Sequence, residues 1–346
     1  MNNVLREDFQ RIAESNLPFE EFRGCSFLIT GATGLIGSLL VRTLLYCNRV
    51  HSLNLKVYAV VRSVEKAGKI FGEGDSALEY VVCDLAKDDI VCPGKCDYVI
   101  HAAAVTTSRL MVSDPVGTIR TSIDGTEKLL KLAVNKSAKA FVYISSMEIY
   151  GQPMTEDRTT EKDLGYIDIS SVRSCYPESK RMCECLCNAY AAQYGLNVKS
   201  ARLAQTFGAG ILPTENRVFA QFARSAVNGE NIVLHTTGES EGNYVYTADA
   251  ILAILTLLIK GESGEAYNIA NEDSHTTIRS MAELVAAEIA ENRIKVVIDI
   301  PEDSASLGYA PPVKMQLDAA KMRALGWKPT VGLVEAYRRM ILWMQN

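Results

Sequence analysis

The thirteen residues Cys25-Ser-Phe-Leu-Ile-Thr30-Gly31-Ala-Thr33-Gly34-Leu35-Ile36-Gly37 decide the fold. CSFLIT is a short apolar run of strand length, GATGLIG is a glycine-rich turn, and the following SLLVRTLLYC carries apolar residues at helical spacing. Strand, glycine turn and helix in that order open a βαβ unit. The rhythm continues outward through KVYAVV, LEYVVCDL and CDYVIHAAA, each read as a strand. A helix follows from about Val116 to Val134, then the strand AFVYISS, a helix beginning near Tyr176 and the strand LNVKSARL. Strands alternating with helices predict an α/β protein with a doubly wound parallel sheet covered on both faces.

Beyond Arg202 the rhythm loosens. QTFGAGILPTENRV reads as loop, FAQFARSAV as helix and NIVLHT as strand, and the chain returns to the sheet through YVYTADAILAILTLLI. The expected organisation is an N-terminal helical extension over 1–23 and a nucleotide-binding domain over 24–203 and 236–264. A smaller, discontinuous C-terminal substrate domain takes 204–235 and 265–346.

The 346 residues are 48% hydrophobic with a formal charge of −5, and Lys and Arg are scattered rather than gathered in a stripe, which argues against nucleic acid as a partner. The N-terminal MNNVLREDFQRIAESNLPFEEF is too charged for a signal peptide, and AILAILTLLI is too short to span a bilayer, so no membrane association is expected. Cys183, Cys185 and Cys187 lack His or Asp at ligand spacing, so no metal is expected. Reduced thiols fit a cytoplasmic protein.

A glycine turn between a strand and a helix suits a dinucleotide. The glycines allow a tight turn, close approach of backbone to a pyrophosphate and close helix packing, while the helix N-terminus offers free N–H groups to the anion. Gly31, Thr33, Gly34, Leu35, Ile36 and Gly37 are therefore the candidate cofactor residues of a Rossmann-type domain. An enzyme preferring NAD usually carries Asp or Glu at the end of the second strand. Here the strand ends Val60-Val61-Arg62-Ser63, and Arg62 can hold the 2′-phosphate of NADP or simply lie on the surface over adenine. The cofactor is thus NAD or NADP, with NADP slightly favoured. Asp84 and Leu85 suit the adenine end.

Tyr176 and Lys180 stand four apart at a helix start, on one face. An ammonium near the phenol favours the phenolate, so Tyr176 can take a proton from a hydroxyl. Ser146, at the end of the strand AFVYISS, can hydrogen-bond that hydroxyl, since parallel sheets bind ligands beyond the carboxyl ends of their strands. Glu148 is a second acid/base, or a carboxylate at a helix start.

GATGLIG, HAAA, YISSMEIYG, CYPESKRMCE, ARLAQTFGAG, YVYTAD and LGWKP together resemble the extended short-chain dehydrogenases/reductases of the nucleotide-sugar epimerase/dehydratase family. Within that family the chain resembles the UDP-glucuronate decarboxylase and 4,6-dehydratase branch. The resemblance implies a Ser146/Tyr176/Lys180 triad with Glu148 as the additional acid/base. It also implies cofactor contacts at Ala102, Ala103 and Ala104, substrate contacts at Thr106, Arg217 and Val218, and a homodimer built on the helix after HAAA and the helix of Tyr176. The implied chemistry is oxidation at C4 of a nucleotide-activated sugar to a 4-keto intermediate, followed by decarboxylation, 4,6-dehydration or 4-epimerisation. Two positions depart from the pattern: Met147 stands where many dTDP-glucose dehydratases carry Asp, and Gly242 where the family usually has a diphosphate-binding Arg. Ser122 and Gln205 also replace frequent Asn residues. Two other readings stay open, an NADPH-dependent reductase of small carbonyl compounds and a binding protein that holds NAD(P) without turnover.

Overall fold

The computed structural model describes residues 2–72, 74–154, 157–301 and 313–345. Residues 302–312, assigned above to the substrate domain, lie outside the described residues. Helix α1, Asn3–Ala13, is followed by strand β1 (Ser26–Thr30), helix α2 (Leu35–His51), β2 (Lys56–Val61), α3 (Val64–Phe71), β3 (Leu78–Val82) and β4 (Tyr98–His101). Helices α4 (Ser108–Ser113) and α5 (Pro115–Asn135) lead to β5 (Ala140–Ser146), α6 (Cys175–Tyr194) and β6 (Val198–Leu203). Asp114 starts α5, its carboxylate accepting the Gly117 N–H at 3.0 Å ahead of Pro115, whose missing N–H is harmless in a first turn.

After β6 come β7 (Gln205–Phe207), α7 (Val218–Asn228), β8 (Ile232–Leu234), β9 (Glu241–Tyr246), α8 (Thr247–Lys260) and β10 (Glu265–Ile269). The chain closes with β11 (Asn271–Thr277), α9 (Ile278–Leu284), β12 (Val296–Ile298), α10 (Ala320–Ala324) and α11 (Leu333–Met344).

Seven strands form one parallel sheet in the order β10-β6-β5-β4-β1-β2-β3. Strands β1, β4 and β6 are buried along their whole length, as expected where helices cover both faces. The order reverses between β1 and β4, and at such a switch point the loops leave in opposite directions and open a crevice. The expected doubly wound sheet is therefore present. Its last strand, β10, begins at Glu265, one residue past the boundary drawn from the sequence at 264. β7, β9 and β11 make a separate three-stranded sheet, and β8 pairs with β12. Part of QTFGAGILPTENRV, read above as loop, is thus strand: Gln205–Phe207 runs parallel to β9.

Two of the motifs behind the family resemblance are structural. Asp249, in YVYTAD, accepts the N–H groups of Thr330 and Val331 at 3.0 Å each, and its carbonyl accepts the Trp327 indole N–H at 3.0 Å. YVYTAD is thereby tied to the segment around LGWKP.

The N-terminal stretch folds as α1, whose Val4, Leu5, Phe9 and Ile12 are buried and which packs on α2, α8 and α11. Asp8 on the same helix is 2% exposed. It accepts the Tyr246 hydroxyl at 2.6 Å and the Arg339 guanidinium at 3.0 Å, so one carboxylate joins the first helix, β9 and the last helix. Removing one member of a buried charged pair strands the other. Asp8→Ala is therefore expected to lower unfolding free energy by about 3 kcal/mol, and Asp8→Asn by less because it can still accept the Tyr246 hydroxyl; urea unfolding followed by circular dichroism measures both.

Candidate active site

The glycine turn lies at the switch point. Gly31 has a φ of +63°, and a Cβ there would come within 2.8 Å of the Ala102 and Ala103 backbone. Gly37 packs the first turn of α2 onto the same loop, where a Cβ would collide with the Gly31 carbonyl. The end of β1, the start of α2 and the segment after β4 consequently meet as bare backbone. Thr33, Gly34, Leu35 and Ile36 complete this turn and helix start.

Behind it runs a chain of buried polar groups that sequence reasoning missed. The Ala103 N–H donates to Thr30 Oγ1 at 3.2 Å. Thr30 Oγ1 lies 2.7 Å from His101 Nδ1, and His101 Nε2 lies 3.2 Å from Thr126 Oγ1, which donates to the Ser122 carbonyl at 2.7 Å. Each hydroxyl has one proton, so the pattern requires neutral His101 protonated at Nε2. Burial pushes its pKa down to about 3. The signal in sequence was the His before three alanines, with Thr at the end of β1.

The other candidate cofactor positions are spread along the same edge. Arg62 is exposed just after β2, and Ser63 caps α3 by accepting the Lys66 N–H at 3.2 Å. Asp84 is drawn into its own turn, accepting the Ala86 N–H at 3.2 Å, and Leu85 is buried against α5. Ala102, Ala103 and Ala104 are half-buried, and Thr106 is exposed in the loop before α4.

Ser146, Glu148, Tyr176 and Lys180 come together where β5 ends and α6 begins. Ser146 is the last residue of β5, and its hydroxyl accepts the Glu148 N–H at 3.2 Å and shares a hydrogen bond with Tyr176. Lys180, 3% exposed, donates to the Ile144 carbonyl at 2.7 Å and lies 4.7 Å from the Tyr143 ring centre and 5.8 Å from that of Tyr176. Burial lowers the Lys180 pKa to about 8. The balance at Tyr176 differs from the expectation that the ammonium makes the phenol more acidic. Burial is the largest influence and raises the phenol well above its usual range; the Glu148 charge adds to this, while Ser146, Arg173 and Arg217 oppose it. The reason is that α6 buries the Tyr176 side chain almost completely, and desolvation penalises the phenolate.

Arg173 and Arg217 are thus within electrostatic reach of Tyr176. Arg217 precedes α7, is held by Glu215 at 2.6 Å, and lies over the Phe219 ring at 4.8 Å; Val218 begins α7 beside it. Arg173, not singled out from sequence, pairs with Glu148 at 2.8 Å. Its only signal was an Arg one helical turn before the Tyr. The two departures also meet: a Cβ on Gly242 would lie 3.4 Å from the Met147 methyl group. Ser122 is buried inside α5, where its hydroxyl bonds the Thr118 carbonyl, and Gln205 is half-buried at the start of β7.

A doubly wound sheet with a glycine turn at its switch point and a Ser/Tyr/Lys cluster at the end of β5 defines a nicotinamide-dependent short-chain fold. Residues 27–270 match the NAD dependent epimerase/dehydratase family, and the chain belongs to it. Among curated relatives, UDP-glucuronic acid decarboxylase 6 of Arabidopsis thaliana is 28% identical over 312 residues, covering 89% of this chain and 85% of the relative. The dTDP-D-glucose 4,6-dehydratase of Bos taurus is 25% identical over 330 residues, covering 92% and 88%. Among solved structures, a UDP-glucose 4-epimerase from Thermotoga maritima shares the fold with a TM-score of 0.76 at 23% identity, covering 92% of this chain and 98% of that one. Among the described residues no helix is long and apolar enough to cross a membrane.

The His101 chain has a consequence for acid stability. A buried histidine whose folded pKa lies near 3 stays neutral while the unfolded chain takes up a proton below about 6.5, so stability is full above that pH and falls as pH drops towards 3. Between pH 7 and pH 5 this one group should cost about 2 kcal/mol. Measured by urea unfolding at the two pH values, the loss in His101→Gln should be smaller by that amount, although the variant starts less stable.

Proposed function

We propose that this chain oxidises C4 of the sugar in a nucleotide-activated sugar to a 4-keto intermediate and carries that intermediate on to decarboxylation, 4,6-dehydration or 4-epimerisation. The observation that carries the reading is the convergence of Ser146, Glu148, Tyr176 and Lys180 at the carboxyl end of β5. The resemblance of the chain to a decarboxylase and a dehydratase of nucleotide sugars supports it.

The bare backbone around Gly31 and Gly37 fits a dinucleotide, because a Cβ at either position would close the approach. Gly31, Thr33, Gly34, Leu35, Ile36 and Gly37 would hold the pyrophosphate, Ala102, Ala103 and Ala104 the nicotinamide side, and Asp84 and Leu85 the adenine side. Arg62, exposed after β2, favours NADP over NAD by offering a guanidinium to a 2′-phosphate. A nicotinamide bound there supplies the acceptor and donor of hydride.

The side chains then divide the proton work. Tyr176 takes the C4 hydroxyl proton, with Ser146 hydrogen-bonded to the same oxygen. Lys180, charged and anchored on the Ile144 carbonyl, stays close to the Tyr176 ring. A ketone at C4 acidifies the C5 hydrogen, which Glu148 would remove when the path is dehydration. Thr106, Arg217 and Val218 line the substrate side, and 204–235 with the segments after β10 form the unit that selects the sugar.

We assign the chain to the cytoplasm, in keeping with its free cysteines, all buried except Cys185. We also assign it a homodimeric state, in which α5 and α6, packed side by side with exposed Val116, Ile119 and Met182, form the shared face.

Incubation with UDP-, dTDP-, GDP- and CDP-hexoses and hexuronates, read by mass spectrometry and proton NMR, should show loss of CO2, loss of water or a new C4 configuration. Tyr176→Phe should lower that turnover by about 10³-fold, the scale of lost proton transfer, while leaving the fold intact. Near-normal turnover by Tyr176→Phe would overturn the assignment.

A further inference from the structure

We propose that Arg173 is a positioning residue of this site: it holds Glu148 beside Tyr176 and offsets the Glu148 charge there. The inference rests on the reading of Tyr176 as the proton acceptor.

Two short 3₁₀ turns are joined by an ion pair near the phenol. Met147–Tyr150 follows β5 and carries Glu148; Val172–Ser174 runs directly into α6 and carries Arg173, three residues before Tyr176. Arg173 Nη2 lies 2.8 Å from Glu148 Oε2, and the Arg173 guanidinium carbon lies 5.7 Å from the Tyr176 ring centre. The two side chains are 31% and 36% exposed, so the pair is no buried strut, and ion pairs this open contribute little to stability. Its effect falls instead on what it adjoins.

Tyr176 is faced by groups from several elements. From the end of β5 come Ser146 and Tyr143, both neutral, and from the turn after it Glu148; from α6 comes Lys180, whose ammonium is bonded to the Ile144 carbonyl. From the start of α7 comes Arg217, which is already paired with Glu215. Among the described residues, Arg173 is the cation directly paired with Glu148. Glu148 makes the phenol hold its proton more tightly, and Arg173 has the opposite effect. With Arg173 gone, an unpaired carboxylate would remain beside a buried phenol that must give up its proton before it can accept one from a sugar. The Arg173–Glu148 tie therefore lets one site carry both a phenol that must ionise and a carboxylate near it.

The test is substrate-free. Difluorotyrosine is placed at position 176 in the full chain, which brings the phenol titration into a pH range where the protein is stable, and its midpoint is read by fluorine NMR. Arg173→Gln should raise the midpoint by about 0.5–1 pH unit, a three- to tenfold tighter hold on the proton, and Arg173→Lys should restore most of it. Adding Glu148→Gln to Arg173→Gln should return the midpoint to that of the parent or below. A purely structural role would not be rescued by removing the opposing charge. An unmoved midpoint in Arg173→Gln, or a shift that persists with Glu148→Gln, overturns the proposal. Absence of turnover across the sugar panel would overturn the assigned reaction instead, and the two failures are read from separate experiments.

Discussion

The site depends on how α6 is pinned to the sheet, and that rests on the buried pair of Arg202 with Glu184. Arg202, on β6, donates to both Glu184 carboxylate oxygens, at 2.7 Å for the shorter contact, and also to the Tyr150 hydroxyl at 3.0 Å and the Glu161 carbonyl at 2.7 Å. The Tyr150 hydroxyl in turn donates to the Asn268 side-chain oxygen, on β10, at 2.6 Å. A buried ion pair is costly unless its remaining donors are satisfied, and here they go to the Tyr150 hydroxyl and the Glu161 carbonyl. The geometric yield is larger than the energetic one. Tyr176, Lys180 and Glu184 are spaced i, i+4, i+8 along α6 and share one face, so fixing Glu184 against β6 fixes the rotation that puts Lys180 under the Ile144 carbonyl and Tyr176 beside Ser146. Tyr150 belongs to the same turn as Glu148, so the network also ties the second half of the site to the helix.

What could be read from the sequence was whatever repeats with a local period. The glycine turn, the buried strands, and the starts of α5 and α6 within a residue all follow from apolar spacing and turn residues. The Tyr176/Lys180 pair was legible because four residues make one helical face. The extent of the parallel sheet was less so: β10 begins at Glu265, where it pairs with Lys199 of β6, a partner 66 residues earlier that no local pattern announces. The short β7 was missed for the same reason, since three residues carry too few side chains to show alternation and its pairing with β9 supplies the order.

The acid-base balance was the least legible part. The spacing of Tyr176 and Lys180 suggests an ammonium acting on a phenol, yet the sign of the net effect depends on burial, which is a property of the packed helix. Arg173 and Glu148 are twenty-five residues apart and pair only because the turn after β5 and the turn before α6 are brought to the same end of the sheet. His101 likewise acquires its role from Thr30 and Thr126, which lie on different elements.

Met147 and Gly242 make the same point from the side of specificity. Read singly, each is an isolated loss of a polar group, one after β5 and the other on β9. In the fold they are neighbours: a Cβ at 242 would stand 3.4 Å from the Met147 methyl group, in van der Waals contact with it. A side chain at 242 would begin in contact with the flexible end of Met147, so the size of one residue bears on the room left for the other. The two departures are therefore one local feature of the fold rather than two independent losses. Arg217, just before α7, has its guanidinium 4.8 Å from the Phe219 ring centre and 2.6 Å from Glu215, so its direction is set by neighbours within two residues of it.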